Sequence, residues 1–199
     1  EQNRRNVTIG AAVVVVAGAG AWFWRSSSEL KDTRAAQALA QAERSFLSGN
    51  LSLAETELQR VVQRYASTPS GVRAKMMLAQ AMYGQGRHEQ GVALLTEVVG
   101  TGAAAPYRAA IHALIAAGYE DLGRFDQAAA AYAAASSAAV SRMERDAYKA
   151  DQARVFMGTG KSAEALAIWK ELSSDESSPM SSEARLRVGE LESKAVTRS

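Results

Sequence analysis

Large apolar residues recur along this chain at a spacing of 37 residues. Leu58, Leu95, Tyr132 and Trp169 form one such series, and Val61, Val98, Ala135 and Leu172 form a second. Small residues keep the same spacing, as Ala42, Ala79, Ala116 and Ala153, and again as Ala54, Gly91, Ala128 and Ala165. Between the two small series sits a run of glycines: Gly49, Gly86, Gly123 and Gly160. A fixed period of this size marks a repeat architecture, in which each unit is one supersecondary element. Alanine matches alone would carry little in so alanine-rich a chain. Equal glycine spacing, combined with bulky apolar residues at one shared offset, carries much more.

Each unit reads as two helices joined at the glycine. In the third unit the pattern predicts a first helix from Tyr107 to Leu122, a turn at Gly123, Arg124 and Phe125, and a second helix from Asp126. Glycine suits the turn because a helix end often needs a left-handed backbone, which a Cβ disfavours. Ser52 with Glu55 has the spacing of a capping box, and Asp126 and Ser162 are residues suited to an N-cap. Pro69 and Pro106 mark breaks before the next unit. Small residues on both helices of a pair permit close approach. The bulky series then fills the space towards the neighbouring unit, since one pair cannot bury its apolar face alone.

With these residues in place the chain resembles the tetratricopeptide repeat family, which carries a small residue, Gly, Ala, Phe or Tyr, and Ala at these offsets. The third unit is the best match, with Ala116, Tyr119, Gly123, Ala128, Tyr132 and Ala135. The spacing of 37 exceeds the family's usual length of about 34. The resemblance spans roughly residues 30–180. It implies an all-α, TPR-like α-solenoid of about four helix-turn-helix repeats over 26–180. A capping helix and tail follow over 181–199, with Leu186, Val188 and Leu191 set among charges. In such solenoids partners usually bind the concave face, lined by the first helix of each pair. By register that groove comprises Leu39, Glu43, Phe46, Met76, Gln80, Tyr83, Ala113, Ala117, Glu120, Arg154 and Met157. Methionine and aromatic side chains suit adaptable protein contacts. The Lys and Asn pattern with which some members clamp carboxylate tails is missing, since Leu39, Met76 and Ala113 stand at those positions.

Before the repeats, Val7 to Trp24 is an unbroken uncharged run. At about 1.5 Å per residue it spans roughly 27 Å, close to a bilayer's hydrocarbon core. Arg4 and Arg5 precede it within the flank 1–6, and Arg25 closes it. Trp22, Phe23 and Trp24 have the character of an interfacial aromatic anchor. The small residues Ala17, Gly18 and Ala19 also fit a signal-peptide cleavage site. Direct continuation into helix-forming sequence favours a retained single transmembrane helix over 7–25. Arg4 and Arg5 favour a cytoplasmic N-terminus, which puts the repeats in the periplasm at a bacterial inner membrane.

Composition narrows the chemistry. The 199 residues are 47% hydrophobic and 22% charged, with net charge +2. Acidic and basic residues interleave, as in Glu144, Arg145 and Asp146, so no stripe of one sign supports nucleic-acid binding. Cysteine is absent, which removes disulfides and thiol chemistry. His88 and His112 have no second ligand at metal spacing. The stretch from Gly158 to Ser162, Gly-Thr-Gly-Lys-Ser, has the form of the end of a phosphate-binding loop. The full motif needs a glycine where Val155 stands, and a strand where the register puts a helix.

The expected function is therefore non-enzymatic, with no cofactor, metal or small-molecule substrate. A membrane helix tethers a repeat scaffold whose partners are other proteins, with the bilayer contacted through residues 7–24. The layout is similar to the ancillary SecYEG translocon subunit (YfgM-like) family, which implies the translocon and periplasmic chaperones as partners. An alternative is a structural accessory subunit of a large inner-membrane complex, such as a photosynthetic reaction centre-antenna or respiratory assembly.

Overall fold

Four glycines hold the only positive φ angles among the described residues: Gly49 at 77°, Gly86 at 75°, Gly123 at 69° and Gly160 at 77°. These are the four glycines of the repeat. The computed structural model describes residues 29–196. The expected flank 1–6, the membrane helix over 7–25 and its anchor Trp22, Phe23 and Trp24 lie outside these residues. Helix α1 runs over 29–47. It is followed by α2 (Leu51–Tyr65), α3 (Pro69–Gly84), α4 (His88–Val99), a 3-10 helix (Gly102–Tyr107), α5 (Arg108–Asp121), α6 (Phe125–Ala138), α7 (Arg142–Gly158), α8 (Ser162–Ser174) and α9 (Ser181–Val196). No strand occurs among the described residues.

Every glycine closes its helix by the same device. The N–H of Gly86 donates to the Tyr83 carbonyl at 2.9 Å and that of Arg87 to Met82 at 2.8 Å. Gly123 and Arg124 bond to Glu120 and Tyr119, both at 2.8 Å, and the same pair of bonds recurs at Gly49 and Gly160. This is the Schellman closure, which needs a left-handed residue at the glycine position. It also explains a correction. Because the residue after the glycine already starts the next helix, the N-caps are Asn50, Arg124 and Lys161. The expected caps Asp126 and Ser162, and the expected Ser52–Glu55 box, lie inside the first turn instead. Only Asn50 of these three caps with its side chain, accepting from Leu53 N–H at 3.2 Å. A side-chain cap also opens α7, where Ser141 Oγ accepts from Glu144 N–H at 3.2 Å and donates to the Glu144 carboxylate at 2.8 Å.

The prolines break the chain where expected. Pro69 opens α3 behind Thr68, whose hydroxyl accepts from Gly71 N–H at 3.0 Å. Proline fits there because its missing N–H would be unsatisfied in any case. Pro106 lies in the 3-10 helix that leads into α5.

The described residues form two compact units, divided between Ala74 and Lys75 within α3. In the N-terminal unit the core is built from Ala35, Leu39, Ala42, Ala54, Leu58, Val61 and Val72, all 3% exposed or less. In the C-terminal unit, Ala79, Leu95, Ala116, Ala128, Ala153, Ala165 and Trp169 are fully buried. The small and bulky series of the 37-residue pattern are thus the core itself. Trp169 ties α7 and α8 to α9, in one cluster with Ala150, Ala184, Leu191 and Val188. Of the apolar residues named on this helix, Leu191 is buried and Leu186 is 61% exposed.

Candidate functional site

The expected groove residues fall into three registers, set three, six and ten residues before each glycine, and the structure treats the registers differently. Residues at three before (Phe46, Tyr83, Glu120 and Met157) are all part-buried. Two of them bond to the bulky residue nine after the glycine. Tyr132 Oη donates to Glu120 Oε1 at 2.7 Å, and Trp169 Nε1 donates to Met157 Sδ at 3.2 Å. Burial, followed by the hydrogen bond and charge of Glu120, pushes the Tyr132 hydroxyl well above its ordinary value. Tyr83 is enclosed further. Its hydroxyl donates to the Leu114 carbonyl at 3.1 Å, and its ring fills the space beside Gly91 and Gly118. A Cβ on Gly91 would stand 2.4 Å from the ring, and one on Gly118 would stand 2.5 Å from its oxygen. This register therefore joins the two helices of a repeat at Glu120 and Met157, and at Tyr83 it also joins one repeat to the next.

At ten before, Leu39 is 1% exposed and sits in the core, so its assignment to an open groove is corrected. Met76 and Ala113 are part-buried. At six before, Gln80 and Arg154 are exposed, whereas Glu43 and Ala117 are part-buried like Met76 and Ala113. Glu43 accepts from Arg73 at 2.8 Å within the N-terminal unit. Gln80 and Arg154 of this middle register are the groove residues that the packing leaves exposed.

Arg154 is its charged centre in the C-terminal unit. It pairs with Asp151 on its own helix and with Glu183 on α9 at 2.9 Å, and it stands 6.0 Å over the Trp169 ring. Arg187 extends the network to Glu190 at 2.9 Å. Burial raises the Asp151 carboxyl above its ordinary value even though Arg154 opposes the shift. Burial lowers the Arg154 value, but Glu183 and Asp151 outweigh it and the net shift is upward.

The phosphate-loop likeness has a plain structural outcome. Gly160 is the left-handed turn after α7, and Lys161 Nζ bonds Asp126 at 2.6 Å and lies 5.9 Å over Phe156. The histidines are engaged locally. His88 Nδ1 is 3.1 Å from Asp121, with the ring stacked on Tyr83, and His112 is part-buried with its value lowered by burial and then by Arg108. No group of three or more His, Cys, Asp or Glu that could hold a metal occurs among the described residues.

One feature escaped the sequence reading. The basic residue after one glycine pairs with the acid three after the previous glycine: Arg124 with Glu89 at 2.6 Å, and Lys161 with Asp126 at 2.6 Å. The signal was available, since Arg124 and Lys161, like Glu89 and Asp126, are 37 residues apart.

Helix pairs closed by a left-handed glycine, with small residues at each close approach, define a helix-turn-helix repeat protein. The chain belongs to the tetratricopeptide repeat-like domain family, whose model matches residues 1–176. No curated protein matches it significantly. Among solved structures it is similar to the kinesin light chain TPR-like repeats of Podosopora anserina, at 22% identity and TM-score 0.64, over 83% of this chain and 88% of that one. It is also similar to BtubC (BKLC) from P. vanneervenii, at 13% identity and TM-score 0.62, over 84% of each chain. A third is the Rap conjugation gene regulator of plasmid pLS20 in complex with the Phr* peptide, at 16% identity and TM-score 0.51, over 77% of this chain and 46% of that one. These likenesses establish the fold.

Proposed function

We propose that this protein is a membrane-tethered scaffold that binds other proteins through the first helices of its repeats. The observation that carries this reading is the accessible middle register. Gln80, Ala117 and Arg154 recur at the same place in three successive repeats, with Gln80 and Arg154 exposed, while no described residue of the flanking registers among the expected groove residues is exposed. A row of polar, small and charged side chains on rigid helices suits recognition of a protein segment. The similar Rap regulator holds a peptide, which supports protein ligands for this architecture.

The tether is the apolar run Val7 to Trp24, with Trp22, Phe23 and Trp24 at the interface. The family match starts at residue 1, so this run lies inside the matched region. With Arg4 and Arg5 held in the cytoplasm, the repeats stand in the periplasm. The partners are then the protein translocon and the chaperones that receive its substrates. Crosslinking in intact membranes, read by mass spectrometry, tests the proposal. Crosslinks from the middle register to a translocon subunit or a periplasmic chaperone are expected. Crosslinks confined to the second helices would overturn it.

A further inference from the structure

The N-terminal unit carries a basic cleft between its first two helices. Helices α1 and α2 are antiparallel, and Glu57 fastens them by accepting from Gln41 at 3.1 Å and Ser45 at 2.6 Å. Towards the start of α1 and the end of α2 the pair opens into a cleft of about 180 Å³. Ala38 forms its small side on α1, while Arg60, Arg64 and Tyr65 line it from α2.

Arg60 and Arg64 are one helical turn apart, so their side chains share a face. The Arg64 guanidinium lies 5.7 Å over the Tyr65 ring, which holds it at the cleft. No described carboxylate forms an ion pair with either arginine. Glu57, the acid in the cleft wall, is already engaged by Gln41 and Ser45. At the same end, exposed Lys31 and Arg34 stand beside Glu29 and Asp32, and Asp32 is occupied by the N–H of Ser70 at 3.1 Å. Trp24, the last residue of the apolar run, closely precedes α1 in sequence.

Two guanidinium groups free of carboxylate partners and converging on one cleft suit a phosphate, whose oxygens match the planar donor fork of arginine. Basic clusters beside a membrane segment are drawn to anionic headgroups. We propose that the Arg60–Arg64 cleft binds the phosphodiester headgroup of an anionic phospholipid, seating the first repeat against the bilayer. The inference rests on the tethered reading above.

The test uses the full chain in mild detergent micelles, titrated with phosphatidylglycerol, with phosphatidylcholine and with inorganic phosphate. Phosphatidylglycerol should bind, phosphatidylcholine should not, and inorganic phosphate should bind more weakly than the lipid. Arg60→Gln and Arg64→Gln should each weaken phosphatidylglycerol binding about fivefold, the factor expected for one basic residue at a membrane surface. Circular dichroism of the variants reports that they are folded. Equal binding of the two lipids, or unchanged binding by the double variant, overturns the proposal. Inorganic phosphate binding as tightly as the lipid overturns the lipid as its source. Flotation of the full chain with phosphatidylcholine vesicles reads the tether separately. Loss of flotation with retained phosphatidylglycerol binding sinks the tether and keeps the cleft, whereas flotation without lipid preference does the reverse.

Discussion

Lys161 Nζ stands 2.6 Å from Asp126, the residue that follows the preceding glycine by three. Arg124 makes the same contact to Glu89 one repeat earlier, also at 2.6 Å. These pairs lie along the glycine turns and tie each second helix to the one before. All four partners are exposed, so solvent and salt screen them. Lys161→Ala should therefore lower the melting temperature slightly, with a difference from wild type that disappears at high salt. The same variant should leave ATP and GTP binding at an undetectable baseline, because this lysine belongs to a repeat contact.

Two kinds of repeat glycine should respond differently to alanine. At Gly86 an added Cβ meets nothing within 4 Å, so only the left-handed backbone is strained. Gly86→Ala should cost about 1 kcal/mol in urea unfolding. Gly91→Ala drives a Cβ to 2.4 Å from the Tyr83 ring and should cost about 1–3 kcal/mol. A Tyr83→Leu background should remove much of the Gly91 penalty and leave the Gly86 penalty unchanged. A double-mutant cycle measures this directly.

Trp169 is the largest fully buried side chain among the described residues. Trp169 is 0% exposed and packs against both its own pair and α9. Trp169→Ala should destabilise by about 3–5 kcal/mol. Because the cluster includes Leu191 and Val188, removing α9 should expose Trp169 and red-shift its fluorescence emission.

His112 supplies a pH dependence. Burial, assisted by Arg108, holds its folded value below the ordinary 6.5. In the window just below 6.5 the unfolded chain therefore binds more protons than the folded one, and stability rises with pH. The contribution is complete above 6.5 and is lost as the pH falls through the folded value. His112→Gln should flatten this part of the stability–pH curve, measured by thermal unfolding across the mildly acidic range.

Most of the fold was legible because a repeat writes its packing into the sequence several times. The series containing Leu58, Leu95 and Trp169, and the alanines from Ala42 to Ala153, could be read as core from spacing alone, and they are fully buried. The turn glycines followed from the same register. The helix starts were misread because Asp126 and Ser162 have good capping chemistry, yet the Schellman closure places Arg124 and Lys161 at the cap. The candidate groove was legible in part. Register alone could assign Leu39, Tyr83 and Gln80 to one helix face. It could not tell that Leu39 sinks into the core, or that Tyr83 turns inwards into room left by Gly91 and Gly118. That distinction depends on the sizes of side chains on neighbouring helices, which no single register contains.

The central claim is that partners engage the middle register of the first helices. Its most direct test places a photo-crosslinking residue singly at Gln80, Ala117 and Arg154, and at the exposed second-helix positions Ala93, Ala130 and Glu171, in the full chain in native membranes. Crosslinks to one common partner from the first three positions, and none from the last three, are expected. Crosslinks from the second-helix positions alone, or from neither set, would contradict the account.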